Sequence, residues 1–273
     1  MPKIKVDDFE LNYRVDDFTD PWQPTETILL HHAAAGNINR WYAWVPTLAR
    51  HYQVVRMDAR GHGDSTKPPP NYQWDIKTMT KDISHLLEAL CLPRVHLVGA
   101  SGGGIICLQF AHDYPQQVRS LSLVASTPNL TRTRVNLNSW GNLLDEKGVK
   151  GWLLSDAKAR FAPGAPLGLI EWFAEEGVRS PVHVIKGFTA YMTTVDLTEI
   201  LSEIKVPTLI LAARHDPITP MEIQEIMLNR IPHAELKVFD GVGHNMKVEI
   251  PDLLAAAVLS FVQKLDTSGA LQK

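Results

Sequence analysis

The sequence predicts an α/β fold: an eight-stranded, mostly parallel sheet flanked by helices and interrupted by a helical insertion. Three observations carry the prediction. Short apolar runs at 27–31, 54–57, 95–98, 120–124, 207–213 and 236–239 alternate with stretches of helical spacing, the pattern of strand–helix units that build a parallel sheet. Two further runs, 3–6 and 11–14, alternate in strand fashion on either side of Asp7-Asp8 and read as a hairpin. Between about 129 and 203 the strand signal disappears and then returns, so 1–128 and 204–273 form the core and 129–203 an inserted helical cap.

Bulk composition excludes several classes of function. With 273 residues, 45% of them hydrophobic and 21% charged, the chain can bury a sizeable core and still carry an insertion. A net charge of −3 leaves no basic footprint for nucleic acid and no polybasic membrane patch. No apolar run approaches the length of a membrane span, and the first residues lack the apolar stretch of a signal peptide, so a soluble cytoplasmic protein is expected, monomeric or homodimeric. The two cysteines, Cys91 and Cys107, fall in predicted helices and are expected as buried thiols. Neither they nor His31-His32 belong to a metal-spaced cluster, and no cofactor motif occurs.

Taken in order, the strand 27–31 runs into His32-Ala33-Ala34-Ala35-Gly36, small residues suited to close approach of backbone N–H groups to a substrate oxygen. Trp41, Trp44, Val45, Leu48 and Ala49 recur at helical spacing and predict a helix over 40–51 whose tryptophans are core. After the strand 54–57 and the breaker Pro68-Pro69-Pro70, the spacing predicts a helix over 78–90 with Ile83, Leu86, Leu87 and Leu90 inward. The insertion carries Trp140, Trp152 and Trp172 with Phe161, Phe173, Phe188, Tyr191 and Met192, broken by prolines. Most of these should hold the cap down; Trp140, Phe161, Tyr191 and Met192 are taken as candidates to line an apolar pocket. Thr219-Pro220-Met221-Glu222 reads as a capping box with Pro at the first helical position, which leaves the nearby Asp216 free. An amphipathic helix over 250–265 closes the chain, and 267–273 is expected as a frayed tail.

The chemistry concentrates at Gly99-Ala100-Ser101-Gly102-Gly103, where a strand meets a helix through a sharp turn. A strained central residue needs small neighbours two before and two after it, and the turn leaves the Ser101 hydroxyl exposed at its tip. A dinucleotide fingerprint would need Gly in place of Ser101, and no Gly-Lys-Ser/Thr follows to make a phosphate loop. An acid and a base follow in order: Asp216 beyond the strand 207–213 and His244 beyond 236–239, both past carboxyl ends that converge on one edge of a parallel sheet. A serine hydroxyl needs a neutral imidazole to take its proton and a carboxylate to orient that imidazole.

On Leu29-Leu30-His31-His32, Asp58-Ala59-Arg60-Gly61-His62-Gly63-Asp64-Ser65, the Ser101 turn, the Asp216 loop and Gly243-His244, the chain resembles the α/β-hydrolase superfamily over nearly all its length. Within it, the chain looks most like the small esterases and lactonases around 3-oxoadipate enol-lactonase. The resemblance implies an α/β-hydrolase fold, no catalytic role for His62, and an oxyanion hole of two backbone N–H groups. Gly102 supplies one donor; spacing back from Trp41 gives Ala34 as the other, and counting from the strand gives Ala33. The activity implied is metal-independent hydrolysis of an ester or lactone with an apolar portion, by Ser101, His244 and Asp216. Rival readings on the same residues are a carbon–carbon bond hydrolase and a cofactor-free perhydrolase or haloperoxidase; a ligand-binding receptor on the same scaffold is a further rival.

Overall fold

Side chains alternate across each central strand and divide the interior into two cores. In β3 (Thr27–His31) Leu29 packs on one side and Ile28 and Leu30 on the other; in β5 (Val95–Ala100) Leu97 and Val98 divide in the same way. The computed structural model describes residues 2–267. With β1 (Lys3–Val6), β2 (Phe9–Asp16), β4 (Gln53–Met57), β6 (Val118–Val124), β7 (Thr208–Ala213) and β8 (Ala234–Phe239), these strands form one eight-stranded sheet. Its order is β1-β2-β4-β3-β5-β6-β7-β8. Strand β2 pairs antiparallel with β1 and β4, and all other pairings are parallel.

Chain order reverses at the centre of this sheet. From β3 the chain steps to β4 on one side and then crosses back to β5 on the other, so the crevice beyond the carboxyl ends of β3 and β5 is the place where such sheets bind ligands. One face is covered by α2 (Ile76–Ala89), α3 (Gly102–Asp113) and α8 (Met221–Arg230). The other is covered by α1 (Val45–Leu48) and α10 (Pro251–Thr267). The single helix predicted over 40–51 is instead a 3₁₀ segment, Ile38–Trp44, leading into α1. Pro46 has no N–H to donate back to residue 42, which interrupts the α-helical ladder. Trp41 and Trp44 are fully buried, as their spacing predicts.

Between β6 and β7 lie α4 (Asn138–Ser155), α5 (Ala157–Arg160), α6 (Leu167–Gly177) and α7 (Val182–Met192), which share a third core built around Trp152, Phe173, Val184 and Ile185. Helix α4 breaks at Gly148, whose φ of 66° belongs to the left-handed region that glycine enters freely. This excursion leaves and re-enters the sheet at one neck. There Leu197 N–H donates to Pro128 O at 3.0 Å, and Asn129 Nδ2 donates to Asp196 Oδ1 at 3.0 Å and Thr198 Oγ1 at 2.7 Å. A short α9 (Met246–Glu249) precedes α10.

Cys107 is buried as expected, but Cys91 is exposed, because α2 ends at Ala89 and Cys91 turns into the left-handed region with φ 54°. Of the tail expected over 267–273, Thr267 is the last residue of α10 and 268–273 lie outside the described residues. No helix among the described residues is long and apolar enough to cross a membrane.

Candidate active site

Ser101 stands where β5 passes into α3, at φ 50° and ψ −124°. A residue other than glycine holds such a backbone only when its surroundings over-determine it. Here Ser101 N–H donates to Val124 O at 2.9 Å, and Ser101 O accepts from Ser126 Oγ at 2.9 Å and from Gly104 N–H at 2.8 Å. The flanking glycines are required by crowding. A Cβ on Gly99 would stand 2.6 Å from Gly104 Cα, and one on Gly103 would stand 2.2 Å from His32 O. Gly102 opens α3, so its N–H has no intrahelical acceptor.

Three loops from three strands bring the predicted residues together. His244, beyond β8, places Nε2 2.9 Å from Ser101 Oγ and Nδ1 2.7 Å from Asp216 Oδ2. In the tautomer this network favours, Nδ1–H donates to the carboxylate and Nε2 accepts the serine hydroxyl. Asp216, beyond β7, is 2% exposed. Its Oδ1 accepts from the amides of Ile218 at 2.8 Å and Thr219 at 3.2 Å, and its Oδ2 also accepts from Thr219 Oγ1 at 2.6 Å. Burial alone would raise its pKa, but the His244 charge and these hydrogen bonds outweigh burial and hold the carboxyl below its ordinary value. Thr219 is therefore no helix cap. Helix α8 begins one residue later than its sequence suggests, after Pro220, with no side-chain cap, and the Thr219 hydroxyl belongs to Asp216.

Beyond β3, the loop of small residues is held by a buried imidazole. His32 Nδ1–H donates to Ala33 O at 2.7 Å, and His32 Nε2 accepts Ala59 N–H at 2.9 Å. This pattern needs the neutral ring. Burial, then the neighbouring His62 and His31, push its pKa well below the usual histidine value. Ala33 O also accepts Gly36 N–H at 2.9 Å, which pins that carbonyl within the loop. Ala34 N lies 3.8 Å from where a Gly102 Cβ would be, and Ala33, Ala34 and Gly102 all line the cavity on which Ser101 opens. His62, buried, hydrogen-bonds to Arg60 O and is not part of the hydrogen-bonded chain of Asp216, His244 and Ser101.

Ser101 and His244 open on a cavity of about 40 Å³, room for roughly three water-sized spheres. Its walls are mainly apolar, with Ile105 and Met192 joined by Trp140, Trp152, Phe173 and Phe188. Trp140 and Met192 line it as predicted; Phe161 and Tyr191 do not. Phe161 sits behind the wall, edge-on to Phe173 at 5.3 Å, and its backbone presses on Gly243 of the His244 loop. Tyr191 turns instead toward the start of α2, where its hydroxyl accepts Ile76 N–H at 2.8 Å. Phe188 and Met192 share the inner face of α7, and their four-residue separation is the signal that would have selected Phe188. Arg160, also missed, is the one arginine of the lining. Of metal-type donors, Glu26, His96 and Asp266 cluster at the amino end of the sheet, away from Ser101, with Glu26 on His96 and Asp266 on Tyr52.

Comparison with known proteins agrees with this architecture. The family model described as the alpha/beta hydrolase fold matches residues 26–162 and 178–250. A RutD protein of Pantoea ananatis that carries a carbamate-hydrolase name is 30% identical over 247 residues, 88% of this chain and 89% of that one. The 2-hydroxy-6-oxo-2,4-heptadienoate hydrolase of Pseudomonas putida is 27% identical over 237 residues, 81% of this chain and 83% of its own. Among solved structures, the enol-lactonase of Burkholderia xenovorans superposes with a TM-score of 0.87 at 20% identity, covering 96% of this chain and all of that one.

Proposed function

Because the chain belongs to the α/β-hydrolase fold family, we propose that it cleaves a carboxylic ester or lactone through an acyl-enzyme on Ser101. One observation carries the reading: the unbroken hydrogen-bonded chain from Asp216 through His244 to a serine held in a left-handed turn at the foot of a cavity. Ser101 Oγ attacks the carbonyl carbon as His244 Nε2 takes its proton, and the carbonyl oxygen gathers negative charge between the Ala34 and Gly102 amides. Each such donor contributes roughly 3 kcal/mol in comparable hydrolases. His244 returns the proton to the departing alkoxide; for a lactone that group stays tethered to the acyl portion. Water then attacks the acyl carbon as His244 takes its proton, and His244 returns that proton to Ser101 Oγ as the acid is released. Asp216 keeps the imidazole in the productive tautomer and stabilises it while it is charged.

Proton release followed by pH-stat on matched esters and lactones, with Ser101→Ala as the blank, tests this reading. Multiple turnovers that vanish in the variant support it, and a rate unchanged by the substitution overturns it. The name carried by the Pseudomonas putida relative favours carbon–carbon cleavage as the second reading. Product analysis with a vinylogous diketone acid separates the two, since no alcohol is released.

A further inference from the structure

Three cations are buried around the cavity, and two of them, Arg40 and Arg160, have too few acceptors. Arg40, Arg160 and Lys247 are 1%, 6% and 3% exposed. Arg40 donates from Nη2 to Phe173 O at 2.6 Å and lies 3.4 Å above the Phe173 ring, but its Nε and Nη1 have no partner. Lys247 Nζ stands 5.8 Å from the same ring. Burial, then Arg40 and Arg160, lower the Lys247 pKa to about 7, so the lysine can shed its charge; the two guanidinium groups cannot.

Of these groups, only Arg160 is part of the cavity wall. Its guanidinium packs over Trp152 at 4.5 Å and Trp140 at 5.1 Å. Its Nη2 is 2.9 Å from Asp156 Oδ2, yet the two are misaligned, and Nε, Nη2 and that oxygen all lack a hydrogen bond. The other carboxylates nearby are committed: Asp216 to His244 and Thr219, Glu249 to the amides of Ala162 and Gly243, and Glu176 to Asn39. Ring contacts cannot satisfy the directed donors of a guanidinium, whose planar fork matches a carboxylate.

We propose that the substrate carries a carboxylate on a short apolar stem and that Arg160 receives it, fixing the scissile carbonyl over Ser101. This deepens the ester-hydrolase reading and rests on it. Arg160 is then a specificity-determining residue, and the aromatic walls hold the stem while excluding the water that would otherwise screen the ion pair.

The test compares kcat/KM for monomethyl succinate and monomethyl glutarate with methyl butyrate and methyl valerate, and for O-acetylglycolate with ethyl acetate, so that the charge is offered on the acyl and the alcohol side. In the wild type the acid-bearing partner of at least one pair should be favoured by about 100-fold. Arg160→Met should abolish that preference while leaving the neutral esters within a few-fold, and Arg160→Lys should keep part of it. No preference in any pair, or equal losses on charged and neutral esters in a variant that melts like the wild type, overturns the proposal. Calorimetric titration of Ser101→Ala with glutarate and with glutaramide provides a readout free of turnover. Glutarate should bind, glutaramide should not, and adding Arg160→Met should remove binding. If no ester is turned over through Ser101, the hydrolase reading fails on its own, and the titration still decides: Arg160-dependent glutarate binding upholds the anion site, and its absence overturns it.

Discussion

Thr219 donates its hydroxyl to the same Asp216 oxygen that holds His244, so removing it changes the aim of the imidazole without touching the substrate. Thr219→Val is expected to lower kcat about tenfold with little change in KM, and to cost about 1 kcal/mol of stability, as one buried hydrogen bond is lost. Steady-state kinetics beside a urea melt check both. Asp216→Asn should lower kcat on the order of 10⁴-fold, because an amide favours the wrong imidazole tautomer. The triad is legible in the sequence because each member lies just past a recognisable strand, and parallel strands deliver the loops at their carboxyl ends to one edge. The role of Thr219 is not legible, since a threonine before Pro220 looks the same whether it caps a helix or serves a carboxylate. Arg160 is hidden for a similar reason: Trp140 and Trp152 of α4 pack over its guanidinium, and nothing adjacent in sequence announces that.

Among the elements, the β5–α3 turn has little room. Gly103→Ala would drive a Cβ against His32 O, where both partners are backbone and neither can swing away. We expect a loss of roughly 3 kcal/mol or more, with activity falling further than stability as the Ser101 tip shifts. A melt and a serine-directed phosphonate label separate the two effects. Strand positions are readable from their period, and so is the apolar face of α2. Helices depart from expectation where one residue outweighs a pattern: Pro46 turns the predicted 40–51 helix into a 3₁₀ segment, and Gly148 breaks α4. Phe188 and Met192 of α7 face the cavity, and the hydroxyl of Tyr191, one position before Met192, accepts Ile76 N–H instead.

For the whole molecule, buried imidazoles set the response to acid. Burial lowers the pKa of His31 and of His62 to about 4, and that of His32 well below the usual value. The unfolded chain therefore binds protons near pH 6.5 that the folded chain refuses, and stability present above that pH is lost as pH falls through it. Each of the three should remove about 1 kcal/mol between pH 6.5 and 5.5. Asp58 and Glu249, whose carboxyls burial raises, act in the opposite sense, adding stability as pH falls toward the ordinary carboxylate value near 4. Urea midpoints at the two pH values, at constant m, measure the difference. The neck at Pro128–Asn129 and Asp196–Leu197 has a consequence of another kind. Its joined ends make the stretch between them a closed loop, and closure entropy grows only with the logarithm of length, roughly 0.6 kcal/mol per doubling. Ser101, Asp216 and His244 all hang from the sheet outside that loop, whereas Trp140, Arg160 and Phe188 lie within it. A single contiguous stretch of coding sequence can thus be lengthened, shortened or exchanged between relatives while the hydrogen-bonded Ser101, His244 and Asp216 stay where the sheet holds them.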